Sequence, residues 1–345
     1  MSSPAFAQST SAALHVELIQ DSCRLAALRT EWFDLWSGLQ QSTPFQSPDW
    51  LLPWWSHYGD GALLAFTFRS GERLVGFAPL YIYQDASAQP RRVLLMGTGN
   101  SDYLDVIFHP EFESACSEHL FSELRGMSTV WDECDFQQLR LVSPLSRALK
   151  KPPYDVKVDE QELCPVLDLT SPDASHAMAK RVGYYQRRLQ KEASFSIEEA
   201  TTQSFDDMFD ALERLHQDRW RARGFSAALR EKRDRQFHRA AARALLGTRM
   251  LRLYGARLGG KLAAALYAFC HRNRTYFYLA GFDPDYARFS IGAILLAHAI
   301  EQARAEGCHS FDFLRGREPY KYRWGACDQV TYRKRLVNKL QESHA

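Results

Sequence analysis

Hydrophobic and polar residues in the first half of the chain follow a definite order of strand and helix patterns. The stretch ALLAFTFRSGERLVGFAPLYIY (62–83) alternates around Ser70-Gly71, which predicts a β-hairpin. VLLMGTGN (93–100) then predicts a strand that ends in a glycine turn. PEFESACSEHLFSELRG (110–126) has apolar residues at helical spacing, and QLRLVSP (138–144) is a further short strand.

The second half of the chain repeats this order. MLRLYGARLGGKLAAALYAFCHRN (250–273) predicts a hairpin, and TYFYLAG (275–281) predicts a strand ending in glycine. GAILLAHAIEQARAEG (292–307) has helical periodicity, and SFDFLRG (310–316) is a short strand. The order hairpin, strand, helix, strand thus occurs twice, roughly 190 residues apart, with low residue identity between the copies. We interpret it as a duplicated unit; a coincidence of pattern is the alternative.

Additional segments precede the second unit. Residues 172–193, which follow Ser171, begin with Pro and Asp and continue with helical periodicity. Residues 204–246 predict one or two basic helices interrupted near Gly224. LCPVLDLT (163–170) predicts a strand entering the second half, so the boundary is placed near Asp159.

These patterns predict an α/β fold of mixed, mostly antiparallel sheets flanked by helices, with two similar units in tandem. Three parts are expected. They are an N-terminal segment with a first helix (1–40), a first unit (41–158) and a second unit (159–345).

Composition excludes several classes of protein. The 345 residues are 46% apolar and 24% charged, which is typical of a globular protein. The net charge of +2 gives no reason to expect DNA binding, and no apolar run is long enough to span a membrane. The first 14 residues carry no basic segment before an apolar one, so they predict a loose N-terminus and not a signal peptide.

The seven cysteines are scattered and odd in number, and none forms a C-x-x-C pair. This pattern favours reduced thiols in the cytoplasm and argues against a structural zinc site. The sequence therefore predicts no metal. The oligomeric state is left open.

The junction GFDPDYARFSIGAILL (281–296) has the features of an anion site, because a strand ends in glycine just before a helix begins. Ser290 is expected to cap the helix, Gly292 to let a ligand approach the backbone, and Arg288 to reach a phosphate. The junction lacks the spacing of a P-loop or of a dinucleotide-binding loop. A plain helix cap is the alternative. GTGN (97–100) in the first half also fails that spacing and predicts a turn.

The stretch FDFLRGREPYKYRWGACDQVTYRKRL (311–336) interleaves aromatic and basic residues directly after a short apolar run. Arg315, Lys321 and Arg323 are expected to bind phosphates of a donor or of a nucleotide-linked acceptor. Arg187 and Arg188 are expected to add positive charge from the connecting helix. For the later residues Arg333–Arg335 we favour the basic last turn of a helix.

These residues carry a resemblance. The doubled order and the P-x-Y-x-x-x-S-x-G junction at Pro284, Tyr286, Ser290 and Gly292 resemble the GNAT acyltransferase fold. More narrowly, the chain is similar to the CelD/BcsL-like acetyltransferases associated with bacterial polysaccharide synthesis. The stretches that carry this narrower similarity cover most of the chain from about residue 40. They are PFQSPDWLLPWW (44–55), NSDYLDVIFHP (100–110), LHQDRWRARG (215–224) and FLRGREPYKYRWGA (313–326).

The segment YKYRWG (320–325) also resembles the end of Fem-type ligases. Those tandem-GNAT enzymes move an amino acid from aminoacyl-tRNA onto peptidoglycan precursors, and they have a lysine where this chain has Arg323. The resemblance therefore leaves two donor classes open, an acyl-CoA and an aminoacyl-tRNA.

GNAT enzymes bind the coenzyme A pyrophosphate with a Q/R-x-x-G-x-G/A turn, and this chain departs from that pattern. With Gly292 on the last glycine, Ser290 takes the first glycine and Ala287 the Q/R position, with Arg288 one step late. Backbone N–H groups can still hold a pyrophosphate, because they do not depend on side-chain identity. The matching junction of the first unit has no such features, so that unit is expected to shape the acceptor site. The expected coenzyme-binding residues are Leu279, Gly281, Arg288, Ser290, Ile291, Gly292 and Lys321.

The resemblance implies acyl transfer from a thioester to an amine or hydroxyl. Backbone N–H groups near Leu279–Gly281 are expected to stabilise the oxyanion. Tyr320 or Tyr322, just past the final strand, is expected to protonate the thiolate that leaves. Asp312 and His216 are the candidate general bases, each with a structural role as the alternative. Arg323 is grouped with these catalytic candidates.

Acceptor-binding candidates come from both halves. Asp102, Tyr103 and Asp105 alternate so that two carboxylates can face one side, which suits the hydroxyl or amino groups of a sugar, or a polar strand end. The remaining candidates are Arg187, Arg219, Trp220 and Arg315. Phe45, Trp50 and Trp54 are expected in the first unit's core instead of in a sugar site.

The leading hypothesis is a cytoplasmic acyltransferase that uses acetyl-CoA or another acyl-CoA on a sugar or another polysaccharide-related precursor. The first alternative is an aminoacyl-tRNA-dependent ligase, in which case tRNA is the partner. The second is a non-catalytic scaffold of a polysaccharide synthase system. The sequence specifies neither the acyl group nor whether the product is an amide or an ester.

Overall fold

The computed structural model describes residues 14–85, 90–147, 154–171, 176–192, 194–221, 229 and 231–338. The expected loose N-terminus falls largely outside these residues. The elements of the first half are β1 (Leu14–Ile19), α1 (Ser22–Ala27), α2 (Arg29–Gly38), α3 (Pro48–Tyr58), β2 (Ala62–Leu63), β3 (Ala65–Ser70), β4 (Arg73–Ala78), β5 (Leu80–Tyr83), β6 (Arg92–Leu95), β7 (Ile107–Phe108), α4 (Glu113–Gly126), β8 (Glu133–Arg140) and α5 (Pro144–Arg147). Those of the second half are β9 (Tyr154–Asp168), α6 (His176–Glu192), β10 (Phe195–Glu199), α7 (Phe205–Arg221), α8 (Lys232–Gly247), β11 (Leu251–Leu258), β12 (Lys261–His271), β13 (Arg274–Phe282), α9 (Ile291–Ala305), β14 (Ser310–Asp312), α10 (Pro319–Tyr322) and β15 (Cys327–Asn338).

The strands form one antiparallel sheet and one larger mixed, mostly antiparallel sheet, which confirms the predicted fold class. One sheet has the order β1-β3-β4-β7, and the other has the order β10-β11-β12-β13-β14-β9-β15-β8-β6-β5-β2. Among the described residues, the parallel pairs are β6 with β8 and β13 with β14, while the remaining pairs are antiparallel. Each parallel pair is linked through a helix, α4 in the first half and α9 in the second.

The predicted order of hairpin, strand, helix and strand is found in both halves. In the second half a hairpin (β11, β12) is followed by β13, α9 and β14; in the first half β3, β4 and β5 are followed by β6, α4 and β8. The first-half hairpin is split at Pro79, so β4 and β5 belong to different sheets. Both final strands lead to a residue with a positive φ, Gln138 (56°) in β8 and Leu314 (57°) after β14.

Two long strands, β9 and β15, lie where the two halves meet. β9, which follows the first half, pairs with β14 of the second half; β15, at the end of the second half, pairs with β8 of the first. β9 and β15 also pair with each other, from Cys327↔Val166 to Asn338↔Tyr154. Asp159, the predicted boundary, lies inside β9. The division into three parts stays a prediction, and β15 joins the two halves in one sheet, because it pairs with both β8 and β9.

Two secondary-structure expectations were incomplete or wrong. The segment 1–40 contains a strand as well as helices, since β1 pairs with β3 along its whole length. Arg333 and Arg335 lie in β15 and not in the last turn of a helix. Their side chains form ion pairs with Asp135 at 2.6 Å and Asp159 at 3.2 Å. The basic segment 204–246 was expected to form one or two helices, and it forms two, α7 and α8. The predicted interruption near Gly224 lies outside the described residues.

The core crosses from one half to the other. Phe45, Trp50 and Trp54 are fully buried, as expected. Phe45 and Trp50 pack against Tyr278 of β13, with ring centroids 6.0 and 5.3 Å away. Aromatic packing across the two halves therefore fixes the position of β13. No helix in the described part of the chain has the length and apolarity needed to cross a membrane.

Candidate functional site

Strands β13 and β14 begin side by side and then separate. Their pairing covers only Arg274–Tyr276 and Ser310–Asp312. On its other edge β13 has a β-bulge at Tyr278, because Tyr267 and Ala268 of β12 lie opposite Leu279 and Phe277. A bulge bends its strand and ends regular pairing nearby. The separation leaves an opening between the two strands, and the anion-site junction follows directly after β13.

Cavity A is a space of about 280 Å³ beside this opening. It lies between β13, the start of α9 and the segment around α10. Six residues predicted from the sequence line it together. They are Gly281, Ser290, Ile291, Gly292, Tyr320 and Arg323.

The first turn of α9 offers backbone donors to cavity A. Ala293 and Ile294 donate their N–H groups to the Ser290 carbonyl at 2.8 and 3.1 Å. The N–H groups of Ile291 and Gly292 have no acceptor in the described part of the chain, as expected for the first two positions of a helix. Because both residues line the cavity, the positive end of the helix lies at its wall.

Ser290 does not cap α9 in the expected way. It occupies the N-cap position, but in the left-handed conformation (φ 53°, ψ 39°), and its side chain makes no capping hydrogen bond. A non-glycine residue seldom adopts this conformation. The turn therefore positions the free N–H groups through its backbone and not through the predicted side-chain cap.

The two glycines of the junction permit close packing. A Cβ added to Gly281 would lie 2.3 Å from the backbone nitrogen of His216, so glycine allows α7 to contact β13 directly. A Cβ on Gly292 would lie 3.1 Å from the Phe282 ring. The Phe282 side chain therefore limits the space at Gly292. The group that a ligand is expected to approach there is the Gly292 N–H.

Cavity B, of about 200 Å³, lies on the other side of the same opening. It shares Phe277, Ala280 and Tyr320 with cavity A. Other predicted residues line cavity B. They are Asp102, His216, Leu279, Arg315 and Lys321.

His216 is oriented by the backbone of β13. Its Nδ1 lies 3.2 Å from the Ala280 carbonyl oxygen, which can only accept a hydrogen bond. Nδ1 therefore carries the proton, and in the neutral ring Nε2 carries the lone pair. The side chain is buried, and the residue lines cavity B. This arrangement suits a general base better than a solvated surface histidine.

Asp102 and Arg315 form an ion pair in the wall of cavity B, with Arg315 Nε 3.0 Å from Asp102 Oδ1. Arg315 also donates to the Gly99 carbonyl at 2.9 Å. Burial raises the pKa of Asp102, and the Arg315 guanidinium partly offsets that effect. Arg315 therefore lies on the side of cavity B and does not line cavity A, where the coenzyme was expected.

The position of Lys321 contradicts its expected contact with the coenzyme. Its Nζ is buried and donates to the carbonyls of Leu314, Arg315 and Gly316 at 3.2, 2.8 and 3.1 Å. Glu318 lies 3.0 Å away. An ammonium group has three hydrogens, and these three carbonyls account for all of them. Lys321 holds the loop after β14 instead of binding a phosphate.

Three further candidates lie outside both cavities. Asp312 is fully buried, accepts from Tyr103 at 2.9 Å, and its pKa is raised to about 6 by burial. Tyr322 donates to Asp328 at 2.8 Å. Arg288 is exposed beside cavity A, with its guanidinium 4.7 Å from the Phe289 ring. Of the predicted tyrosines, Tyr320 is the one that lines both cavities.

The predicted acceptor-binding residues Asp102, Tyr103 and Asp105 do not lie together in one cavity. Tyr103 is buried against Asp312, and Asp105 lines a different cavity, where it accepts from Ser143 at 2.7 Å. Burial raises the pKa of Asp105 to about 7. Arg187 is exposed on α6 and lines neither cavity. The side chains of Arg219 and Trp220, in the last turn of α7, lie outside the described residues.

Arg181 and Tyr185 of α6 were not predicted from the sequence, whereas Arg188 was expected to add positive charge from this helix. Arg181 Nε donates to the Tyr185 hydroxyl at 2.9 Å, and this bond lowers the pKa of Tyr185, with smaller effects from Ser290 and Arg323. Arg188, one turn further, lies 5.7 Å from the Phe289 ring. The i, i+4 spacing of Arg181 and Tyr185 in the sequence predicts that their side chains are neighbours on one face of a helix. It does not predict that α6 packs beside cavity A.

The fold and the cavities define the class. Residues 176–322 match the family described as "Acetyltransferase (GNAT) domain". The match includes every predicted residue that lines cavity A except Arg323. No curated protein sequence matches the chain.

Solved structures share the fold over most of the chain. The crystal structure of FemX is 9% identical, covers 91% of this chain and 97% of its own, and has a TM-score of 0.66. The C-terminal domain (DUF2156) of a predicted lysylphosphatidylglycerol synthetase from Agrobacterium fabrum is 14% identical, with coverages of 91% and 92% and a TM-score of 0.59. L-PGS from Bacillus licheniformis is 10% identical, with coverages of 83% and 86% and a TM-score of 0.50. At these identities the likeness shows the fold alone.

Proposed function

We propose that this protein transfers an acyl group from an acyl-CoA in cavity A to an amine or hydroxyl of an acceptor in cavity B. The observation that carries the proposal is that the two cavities meet at the opening between β13 and β14 and share Phe277, Ala280 and Tyr320. A thioester bound at this opening is accessible from both sides. That is the geometry required to bring a donor and an acceptor together.

Binding of the donor rests on the start of α9 and on Arg323. The N–H groups of Ile291 and Gly292 and the positive helix end favour a diphosphate, although the sequence of the turn departs from the usual pattern. Arg323 is exposed in the wall of the same cavity and forms no ion pair with a described residue. Its guanidinium is therefore available for bidentate contact with phosphate oxygens.

The reaction follows from the placement of three groups. The acceptor nitrogen or oxygen attacks the thioester carbonyl while His216 Nε2 takes up the acceptor proton. Backbone N–H groups of residues 279–281 stabilise the resulting oxyanion, an effect of about 3–4 kcal/mol where one such donor has been removed. When the C–S bond breaks, Tyr320 gives its proton to the departing thiolate. The amide or ester product leaves from cavity B.

Cavity B suits a polar acceptor. Asp102 and Arg315 place a carboxylate and a guanidinium in its wall, which together can bind hydroxyl and amino groups of a sugar. The resemblance to CelD/BcsL-like acetyltransferases points in the same direction. We therefore propose an acetyl group as the cargo, a sugar of a polysaccharide-related precursor as the acceptor and the cytoplasm as the location.

A second candidate function is transfer from an aminoacyl-tRNA. It is favoured by the exposed cationic residues of α6, since RNA binding depends on contacts to phosphates. They are Lys180, Arg181, Arg187, Arg188 and Lys191. The proteins of similar fold include FemX, which the sequence resemblance to Fem-type ligases also suggests.

The test is release of free thiol from acetyl-CoA by the purified protein with a panel of amino sugars and nucleotide sugars, with and without ribonuclease. The proposal predicts acceptor-dependent thiol release that ribonuclease does not change. Transfer that requires charged tRNA supports the second candidate. Absence of both activities, together with no binding of acetyl-CoA, leaves a non-catalytic scaffold and contradicts the proposal.

A further inference from the structure

Two cysteines that are distant in sequence lie together away from both cavities. Cys270 is near the end of β12, and Cys308 lies between α9 and β14. Their Sγ atoms are 3.6 Å apart. Neither residue lies in a C-x-x-C motif, so the pair follows from the fold and not from sequence spacing.

A carboxylate completes the cluster. Glu306 follows the last residue of α9, and its carboxylate and the two sulfur atoms all lie within 4.8 Å of one another. Arg252 donates to both carboxylate oxygens of Glu306, at 2.8 and 2.9 Å. The Thr275 hydroxyl lies 3.5 Å from Cys308 Sγ. The cluster thus offers three ligand atoms with polar neighbours already in place.

We propose that Cys270, Cys308 and Glu306 form a binding site for a thiophilic divalent cation, with zinc as the best fit. Two thiolates bound to tetrahedral zinc at about 2.3 Å each lie roughly 3.8 Å apart. The observed separation of 3.6 Å is close to this value, so the ion can enter with little movement of the sulfur atoms.

Charge and hydrogen bonding agree with this assignment. Two thiolates and one carboxylate carry three negative charges, which Arg252 and a divalent cation neutralise. A carboxylate oxygen has two lone pairs, so Glu306 can bind a metal while it still accepts from Arg252. Ligating carboxylates are commonly held by such a hydrogen-bonding partner. Three protein ligands leave the fourth position of the ion to water.

A metal ion bound at this site would cross-link two segments of the second unit. It joins the β12–β13 turn to the segment between α9 and β14, at the end of β13 opposite Gly281. Metal binding there is expected to raise the melting temperature of the protein. It requires no contact with acyl-CoA, so this inference is independent of the proposed function.

The experiment is a titration of the reduced full-length protein with Co²⁺, whose absorption spectrum reports tetrahedral ligation by thiolates. Zn²⁺ is then added to displace the bound Co²⁺. One equivalent of Co²⁺ should give a thiolate-to-cobalt charge-transfer band and visible bands of tetrahedral cobalt. Cys270→Ser and Cys308→Ser should each lose the band, and Glu306→Gln should bind Co²⁺ at least tenfold more weakly. Cys327→Ser, at an exposed cysteine outside the cluster, is the matched control and should bind normally.

Several results would overturn the proposal. They are the absence of a charge-transfer band, an equal band in the serine variants, or a Cys270–Cys308 disulfide in protein purified without added oxidant. Melting curves of each variant show whether it is folded. Glu306→Gln, on the exposed side of the cluster, keeps the test decisive if a serine variant does not fold.

Discussion

At the scale of single residues, the cations of the 311–336 stretch have different roles although they look alike in sequence. Lys321 is buried against three carbonyls, and Arg315 is paired with Asp102 beside cavity B. Arg323 is exposed in the wall of cavity A. The sequence grouped all three as phosphate ligands, because charge can be read from a sequence and its hydrogen-bond partners cannot.

Arg323→Ala should lower kcat/KM at least tenfold while changing the free energy of unfolding by less than about 0.5 kcal/mol. The reason is that an exposed side chain without an ion pair among the described residues contributes little to folding but contacts the donor phosphates in our proposal. Steady-state kinetics and urea denaturation measure the two effects. Arg73→Ala, at the exposed β3–β4 turn, is the control and should change neither. Equal losses of activity and stability would show that Arg323 is structural.

Tyr320→Phe should lower kcat by about 10²–10⁴-fold and remove the high-pH decline of the rate profile, because the ring then has no proton to give the thiolate. Tyr322→Phe is the matched control. Its hydroxyl donates to Asp328 outside both cavities, so its activity should stay near wild type. The pH dependence of kcat, measured for the wild type and for both variants, shows which tyrosine protonates the thiolate. A larger loss in Tyr322→Phe would reverse the assignment.

At the scale of elements, the loop after β14 owes its shape to one buried ammonium group. Leu314 has a positive φ, and the carbonyls of residues 314–316 converge on Lys321 Nζ. This loop carries Arg315 and leads to α10. The side chains of Tyr320 and Arg323 are therefore positioned through Lys321, although Lys321 does not line cavity A.

Lys321→Met should reduce the free energy of unfolding by about 2–3 kcal/mol, because one buried and two partly buried carbonyls lose their donor. Chemical denaturation followed by circular dichroism measures the change. Lys157→Met, at a lysine whose side chain is 65% exposed, is the control and should have little effect. If both variants are equally stable, the ammonium group does not hold the loop.

The helices and hairpins were largely predictable because their signals are local. Period and glycine turns located the hairpins around Ser70-Gly71 and Gly259-Gly260, and helical spacing located α9. β1 and β15 were missed. Their pairing with β3, β8 and β9 depends on segments far away in the chain, which local periodicity does not report.

At the scale of the whole molecule, the two halves are joined by β15, which pairs with β8 and β9, and by the aromatic core around Phe45 and Trp50. The duplicated order of elements was visible in the sequence. The pairing of β15 with β8 was not, because a local pattern does not specify which distant strand a segment pairs with. The same limit explains why Asp102 of the first half could be proposed for the site, while its pairing with Arg315 of the second could not.

The account depends on cavity A as the place where acyl-CoA binds at the start of α9. Isothermal titration calorimetry with acetyl-CoA tests this most directly, on the wild type and on Ala287→Trp, which places a bulky ring at an exposed residue in the wall of the cavity. The account predicts saturable one-to-one binding by the wild type and none by the variant, with both proteins folded. No heat of binding at millimolar acetyl-CoA, or equal binding by the two proteins, would contradict it.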